Sequence, residues 1–161
     1  MRLKTSIIAL ATGILLFAAC KKTEKDPDPT PPATKSKHEL ISDGKWQYSA
    51  LSFILKVNGK DTTMDAWSVL EDCRKDDFST YSTNGTGTID EGPTKCDPAD
   101  PQTKSLTWEF QDNETYVKVT DNNGPTRMKI IELTATQAKF ETRTLIGADS
   151  ATVVSTFKNI K

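Results

Sequence analysis

Residues 105–133 read SLTWEFQDNETYVKVTDNNGPTRMKIIEL and contain three stretches in which apolar and polar side chains alternate. An alternation with a period of two places the apolar side chains on one face of a β-strand. The three apolar sets are Leu106, Trp108 and Phe110, then Val117 and Val119, then Met128 and Ile130. Because Asp-Asn and Asn-Gly-Pro turn residues separate the stretches, we predict three consecutive antiparallel strands joined by tight turns.

The same pattern extends along the chain in both directions. Alternating or β-branched segments recur about every ten residues, which is typical of a sandwich or barrel, and the turn residues between them indicate hairpins with no helical crossover. The predicted strands are 45–57, 78–83, 86–90, 105–111, 114–120, 126–133, 137–146 and 150–158. The chain also has 23 threonines, which favour a pleated surface. We predict an all-β fold, an eight-stranded antiparallel up-and-down barrel.

The first predicted strand changes phase near its middle. Its two apolar sets are Trp46, Tyr48 and Ala50 on one side and Leu51, Phe53, Leu55 and Val57 on the other. A bulge near Ala50 and Leu51 would turn both sets inward, as occurs where a sheet bends.

One segment after this strand has a helical pattern. Residues 65–73 read DAWSVLEDC, with Asp65 placed as an N-cap and Trp67, Leu70 and Cys73 spaced as an apolar stripe. We predict one short helix there, covering one end of the barrel.

The chain begins with a leader unlike the rest. Residues 1–19 carry Arg2 and Lys4 ahead of an uncharged run, the pattern of a secretory signal peptide. A transmembrane helix is the alternative, but it needs about 20 apolar residues, more than this run provides. The segment Phe17–Cys20 resembles the bacterial lipobox, which implies cleavage before Cys20 and lipid, such as palmitate, on that residue.

Residues 20–37 form the predicted lipid anchor and disordered tether, and residues 38–161 the predicted domain. The tether is rich in proline and charge, so it buries too little surface to fold. Removal of the leader leaves 19 basic against 22 acidic side chains, too even a balance for a nucleic-acid partner. We expect a monomer in the bacterial cell envelope, anchored to the outer membrane, on either its periplasmic or its surface face.

Two cysteines remain once Cys20 is assigned to the lipid. In an oxidising compartment we expect Cys73 and Cys96 to form a disulfide. A metal site is the alternative, but it requires more ligands than two cysteines, and the only histidine, His38, lies at the end of the predicted tether. We therefore expect no metal.

Gly44-Lys45-Trp46 resembles the G-x-W signature of lipocalins, and a second pattern resembles the lipocalin-like domain of Bacteroidetes lipoproteins. The matching features are Cys73, Asp76-Asp77-Phe78, Asn84-Gly85, Cys96 and Thr107-Trp108-Glu109-Phe110. The resemblance covers about residues 40–160 and implies a lipocalin-like barrel with Gly44 and Trp46 at its closed end. In lipocalins an arginine packs over that tryptophan, so we expect Lys158 or Arg143 to supply a cation over Trp46.

The sequence gives little support for catalysis. His38 lies outside the predicted barrel, so a nucleophile–histidine arrangement cannot form inside it. The acidic pairs Asp76-Asp77 and Asp97–Asp100 are of a kind that is usually solvated or caps backbone amides, and the second pair lacks the ligand spacing of a calcium loop. We expect no enzyme and no cofactor.

Binding is the better-supported class, because an eight-stranded barrel can hold one small ligand. The predicted ligand-binding residues are Tyr48, Phe53, Trp108, Phe110, Met128, Ile130 and Phe140, with Leu55 and Phe157 also facing inward. The same side chains would equally fill a solid interior. We therefore predict a membrane-anchored module that binds a small apolar or amphipathic molecule, and keep as the alternative a protein-interaction domain that uses the barrel as a scaffold.

Overall fold

The computed structural model describes residues 34–146 and 149–161. The predicted leader, the lipidation site at Cys20 and the tether up to Ala33 lie outside the described residues. The elements are α1 (Lys37–Ser42), β1 (Lys45–Val57), β2 (Lys60–Asp65), α2 (Asp72–Lys75), β3 (Phe78–Tyr81), β4 (Thr86–Asp90), β5 (Thr103–Gln111), β6 (Tyr116–Asp121), β7 (Gly124–Leu133), β8 (Gln137–Ile146) and β9 (Asp149–Ile160). Among the described residues, no helix has the length and apolar character that a bilayer crossing requires.

The strands close into the predicted antiparallel barrel. β3 to β9 pair with their neighbours in chain order, and β1 closes the ring by pairing with β3 on one edge and with β9 on the other. We call the end that carries α1 and the start of β1 the closed end, and the opposite end the open end. The predicted eight-stranded up-and-down barrel is confirmed.

β2 is an additional strand that the sequence did not predict. It pairs with the second half of β1, from Ser52 with Asp65 to Val57 with Lys60, beyond the three residues that pair with β3. Each of its residues is exposed, so the segment lacks the alternation by which the other strands were recognised.

The bulge in β1 is confirmed. The register between β1 and β9 shifts between Tyr48 and Ala50. Trp46 and Tyr48 point inward before the shift. Phe53 points inward after it, because it pairs with Val153, which lies on the same face of β9 as Phe157, the partner of Tyr48. One continuous strand therefore lines both halves of the interior.

The predicted helix over residues 65–73 is shorter than expected and begins later, at Asp72. Asp65 ends β2, and its side chain accepts a hydrogen bond of 2.9 Å from the Trp67 amide, which makes a turn rather than a helix cap. The Leu70 amide donates to the Trp67 carbonyl in a second turn. A short helix does follow the first hairpin, as predicted.

α1 begins at Lys37, the last residue of the predicted tether, and continues into the predicted domain. Ser36 and Glu39 form a capping box that starts this helix. His38, predicted to lie outside the barrel, packs in α1 against Trp108 and Phe110, with ring centroids 5.3 Å and 4.8 Å away. α1 therefore forms the cover of the closed end.

The core fills this end of the barrel. Its buried members are Ile41, Trp46, Leu106, Trp108, Val117, Ala138 and Phe140. Trp46 is 2 % exposed, and its indole nitrogen donates a 2.7 Å hydrogen bond to the Ile41 carbonyl of α1. Gly44 has a φ of +116° and lies against Asn159 of β9, where a Cβ would overlap the amide group.

The expected cation over Trp46 is absent from the described residues. Lys158 and Arg143 are both exposed. The cation–aromatic pairs that the structure contains join Lys45 to Phe78, Lys75 to Trp67 and Arg127 to Tyr116. The carbonyl of Ile41 satisfies the indole of Trp46 from the helix instead.

Candidate functional site

A cavity of about 390 Å³ lies above the packed core and opens toward the open end. Strands from both sides of the barrel line it, together with α2 and the turn between β6 and β7. The lining residues are Trp46, Tyr48, Arg74, Asp77, Phe78, Ser79, Tyr81, Ile89, Glu91, Lys104, Leu106, Val119, Asp121, Asn123, Thr126, Met128 and Phe157. The barrel is thus solid at the closed end and hollow above it.

The lower wall of the cavity is aromatic. Tyr48 and Phe157 stack with ring centroids 4.3 Å apart, and the edge of Tyr81 meets Trp108 at 5.9 Å. Burial raises the pKa of Tyr81 to about 12 and also raises the pKa of Tyr48. Both phenols therefore stay neutral and offer hydroxyl groups within an apolar wall.

The upper wall carries buried charge. Glu91 is 7 % exposed, and its Oε1 accepts a 2.8 Å hydrogen bond from Lys104 Nζ, which also contacts Asp100 Oδ2 at 2.9 Å. The two carboxylates raise the pKa of Lys104. Glu91, Lys104 and Asp100 therefore form a charge network on the β4–β5 side of the open end.

Asp77 stands beside this network. Its Oδ1 is buried and accepts no hydrogen bond from any residue that the structure describes. Burial raises the pKa of Asp77 to about 6, and the nearby carboxylates of Glu91 and Asp76 add to the effect. Burying a carboxylate oxygen without a hydrogen-bond partner costs free energy. Carboxyl groups with a pKa shifted in this way are often found at functional sites.

Asp76, the neighbour in sequence, has a structural role. Its Oδ2 accepts hydrogen bonds from the Thr94 amide at 2.9 Å and from the Thr94 hydroxyl at 2.6 Å. The sequence predicted that Asp76 and Asp77 are either solvated or cap backbone amides. Asp76 does accept from a backbone amide, whereas Asp77 faces the cavity.

The disulfide holds this wall together. Cys73 in α2 is bonded to Cys96 in the loop between β4 and β5, with the Cα atoms 5.2 Å apart. α2 leads directly into Asp77 and β3, and the loop follows Glu91. The expected pairing thus fixes the two segments that carry the cavity's carboxylates.

The barrel wall has a second opening on its side. β7 and β8 pair only from Lys129 with Glu141 downward, and above that point β7 pairs with β6 alone. An open region of about 750 Å³ lies between the separated strands, lined by Tyr48, Phe53, Pro125, Thr126, Arg127, Met128, Thr142, Arg143, Thr144, Val153 and Ser155. Tyr48, Thr126 and Met128 line both regions, so the two regions are adjacent.

The structure divides the predicted ligand-binding residues into two groups. Tyr48, Phe53 and Met128 line the open regions, and Met128 also packs against the core. Trp108 and Phe140 belong to the buried core, with Phe110 and Ile130 packed against it. Alternation alone does not report which inward side chains meet open space.

Sequence reasoning missed the charged members of the wall, although a signal for them was present. Lys104 lies two residues before the inward Leu106, and Glu91 lies two residues after the inward Ile89. Extending the period of two past each strand end would have placed both side chains inside the barrel.

The described residues contain few side chains that are free to coordinate a metal ion. Within the described residues, Glu71, Cys73 and Cys96 form the cluster with suitable spacing, but both sulfurs are in the disulfide. Asp97 and Asp100, considered for calcium, bond instead to the Ala99 amide and to Lys104.

A family model agrees with this architecture. The family model described as a lipocalin-like domain matches residues 37–140. Among solved structures, the complex of bovine odorant binding protein with a selenium-containing odorant is similar over 83 % of this chain and 78 % of that chain, with 12 % identity and a TM-score of 0.44. No curated protein matches the sequence. The chain belongs to the lipocalin-like domain family.

Proposed function

We propose that this protein binds a small amphipathic molecule inside the barrel. The observation that carries the proposal is the cavity above the packed core, with an aromatic lower wall and a charged upper wall. Ligand sites are typically hollows of about 300–1,000 Å³ that combine apolar walls with placed polar groups. The cavity has this size, and polar and apolar side chains share its lining. The side opening offers room for an apolar portion that is longer than the cavity.

The cavity also weighs against the scaffold alternative. A domain that uses the barrel only as a scaffold has no need of a hollow interior, and empty space costs stability because its lining loses packing contacts. The partnerless Asp77 adds a further cost. A binding role accounts for both features.

A titration with the neutral probe N-phenyl-1-naphthylamine tests the proposal. We expect saturable fluorescence with one site per chain for the wild-type domain. Met128→Trp fills the region shared by the cavity and the side opening, so it should weaken probe binding by about tenfold or more. The matched control is Lys129→Trp, which adds the same ring at the next residue, on the outer face.

Two results would count against binding in the interior. One is an equal effect of the two tryptophan variants, which would place the probe on the surface. The other is the absence of saturable binding to a wild-type domain whose fold and disulfide are intact.

We also propose that the protein is a lipoprotein of the bacterial outer membrane, attached through Cys20. The support is the signal-peptide pattern and the lipobox-like segment. Cells grown with labelled palmitate should label the wild-type protein and not Cys20→Ser, whereas Cys73→Ser should retain the label. Labelling of Cys20→Ser would refute the assignment.

A further inference from the structure

We propose that the polar end of the ligand is a protonated amine, which Asp77 and Glu91 bind at the upper wall of the cavity. The proposal rests on the function proposed above and adds the chemical class of the ligand.

The charge around the upper wall is predominantly acidic. Three carboxylates line the cavity, those of Asp77, Glu91 and Asp121, against the two cations Arg74 and Lys104. Both cations are already engaged by acids. Arg74 Nε contacts Glu71 Oε2 at 3.1 Å, and Lys104 bridges Glu91 and Asp100. A ligand entering this end therefore meets more carboxylates than cations among the lining residues, and Arg74 and Lys104 offset only part of the effect of burial and neighbouring acids on Asp77.

Two carboxylate oxygens have unused acceptor capacity. Asp77 Oδ1 is buried without a hydrogen bond. Glu91 is more than nine-tenths buried, and within the described residues its side chain accepts one hydrogen bond, from Lys104 to Oε1, so no described residue donates to Oε2. An ammonium group carries three N–H donors and no acceptor. It can donate to both oxygens through charge-assisted hydrogen bonds.

The surrounding side chains suit a cation as well. Tyr48 is close enough for Asp77 to raise its pKa further, so the carboxylate and this ring share one part of the cavity. The face of an aromatic ring attracts a cation, and the neutral phenols do not compete for the carboxylates as ions would. An anionic group in the same place would be repelled by Asp77 and Glu91.

The test compares three compounds with the same ten-carbon chain: decylamine, decanol and decanoate. Each displaces N-phenyl-1-naphthylamine from the wild-type domain at pH 7.5. We expect decylamine to displace the probe at about a tenfold lower concentration than decanol, with decanoate the weakest.

The variants Asp77→Asn and Glu91→Gln should each reduce the preference for decylamine over decanol to about threefold or less. The control is Asp72→Asn, which removes an acid from α2 whose side chain is 95 % exposed. It should keep the full preference for the amine.

The outcomes separate this proposal from the one it rests on. Equal displacement by decylamine and decanol, or stronger displacement by decanoate, would overturn the amine and leave interior binding intact. An amine preference that survives in both cavity variants would also overturn it. Failure of the probe itself to bind would refute the proposed function.

Discussion

At the scale of single residues, Asp77 lines the cavity in a position that is unfavourable for an ionised carboxyl. Its Oδ1 is buried without a partner, and burial together with Glu91 and Asp76 raises the pKa of its carboxyl from 3.8 to about 6. The folded protein therefore holds this proton more tightly than the unfolded chain does. Ionised Asp77 weakens the fold, so its contribution to the free energy of unfolding falls as the pH rises from about 4 to about 6.

Asp77→Asn should therefore stabilise the protein at neutral pH. The shift in pKa corresponds to an upper limit of about 3 kcal/mol, and solvent screening of this partly exposed side chain reduces the expected gain to about 1 kcal/mol. Urea unfolding of both proteins at pH 4 and pH 7.5 checks this. The difference between them should be present at pH 7.5 and nearly vanish at pH 4.

The comparison between variant and wild type is needed because other acids titrate in the opposite sense. Lys35 and Lys75 lower the pKa values of Asp43 and Asp72, so those groups lose stabilising interactions as the pH falls. Parallel pH profiles for wild type and variant would show that the environment of Asp77 is ordinary.

Two phenylalanines distinguish the packed half of the barrel from the hollow half. Phe140 is 6 % exposed and lies in the core, so Phe140→Ala should cost about 3–5 kcal/mol. Phe53 is half-buried at the side opening. Phe53→Ala should cost about 1 kcal/mol and weaken probe binding. Chemical denaturation that shows equal losses would mean that the upper half is packed as tightly as the lower.

At the scale of elements, the disulfide links α2 to the loop between β4 and β5, and so couples stability to the site. The Cys73–Cys96 bond spans a sequence separation of 23 residues, for which loop-closure entropy gives about 3 kcal/mol. The double variant Cys73→Ser, Cys96→Ser should lose about that much stability. It should also bind decylamine more weakly, because the segments that carry Asp77 and Glu91 are no longer joined.

Dithiothreitol provides the control for this prediction. It should lower the stability of the wild-type protein to that of the double variant and leave the double variant unchanged. A wild-type protein whose unfolding and amine binding are insensitive to the reductant would contradict the coupling.

The separated upper halves of β7 and β8 are the other feature at this scale. β7 follows β6 to the open end, whereas β8 stays paired with β9. The pairing of β8 and β9 continues to Ile146 with Asp149, so the gap arises from divergence of the strands and not from the end of a strand. This divergence joins the cavity to the side of the barrel.

At the scale of the whole molecule, most of the fold follows from alternation and turns. The β5–β6–β7 meander, with Asp112-Asn113 and Asn122–Pro125 at its turns, was predicted within three residues at each end. The bulge in β1 was predicted because two apolar phases in one strand have no other way to face a single interior. These features depend on local sequence, which is why they can be read from it.

What could not be predicted depends on contacts between distant segments. β2 has no apolar face, and its pairing with β1 stabilises it. α1 begins in a stretch whose composition resembles a tether, and its packing on the closed end of the barrel stabilises it. The division of inward residues into core and cavity likewise depends on strand register. For this reason Trp108 and Phe140 looked the same in sequence as Tyr48 and Met128.

Methionine-methyl NMR can show whether a small molecule binds inside the barrel. Besides Met1, the chain contains two methionines: Met128 inside the cavity and Met64, 51 % exposed on β2. On titration with N-phenyl-1-naphthylamine, we expect a saturable shift of the Met128 methyl signal, produced by the probe's aromatic rings, and little change at Met64. A Met128 signal that does not move while the probe binds, with or without a shift at Met64, would mean that the probe binds outside the barrel.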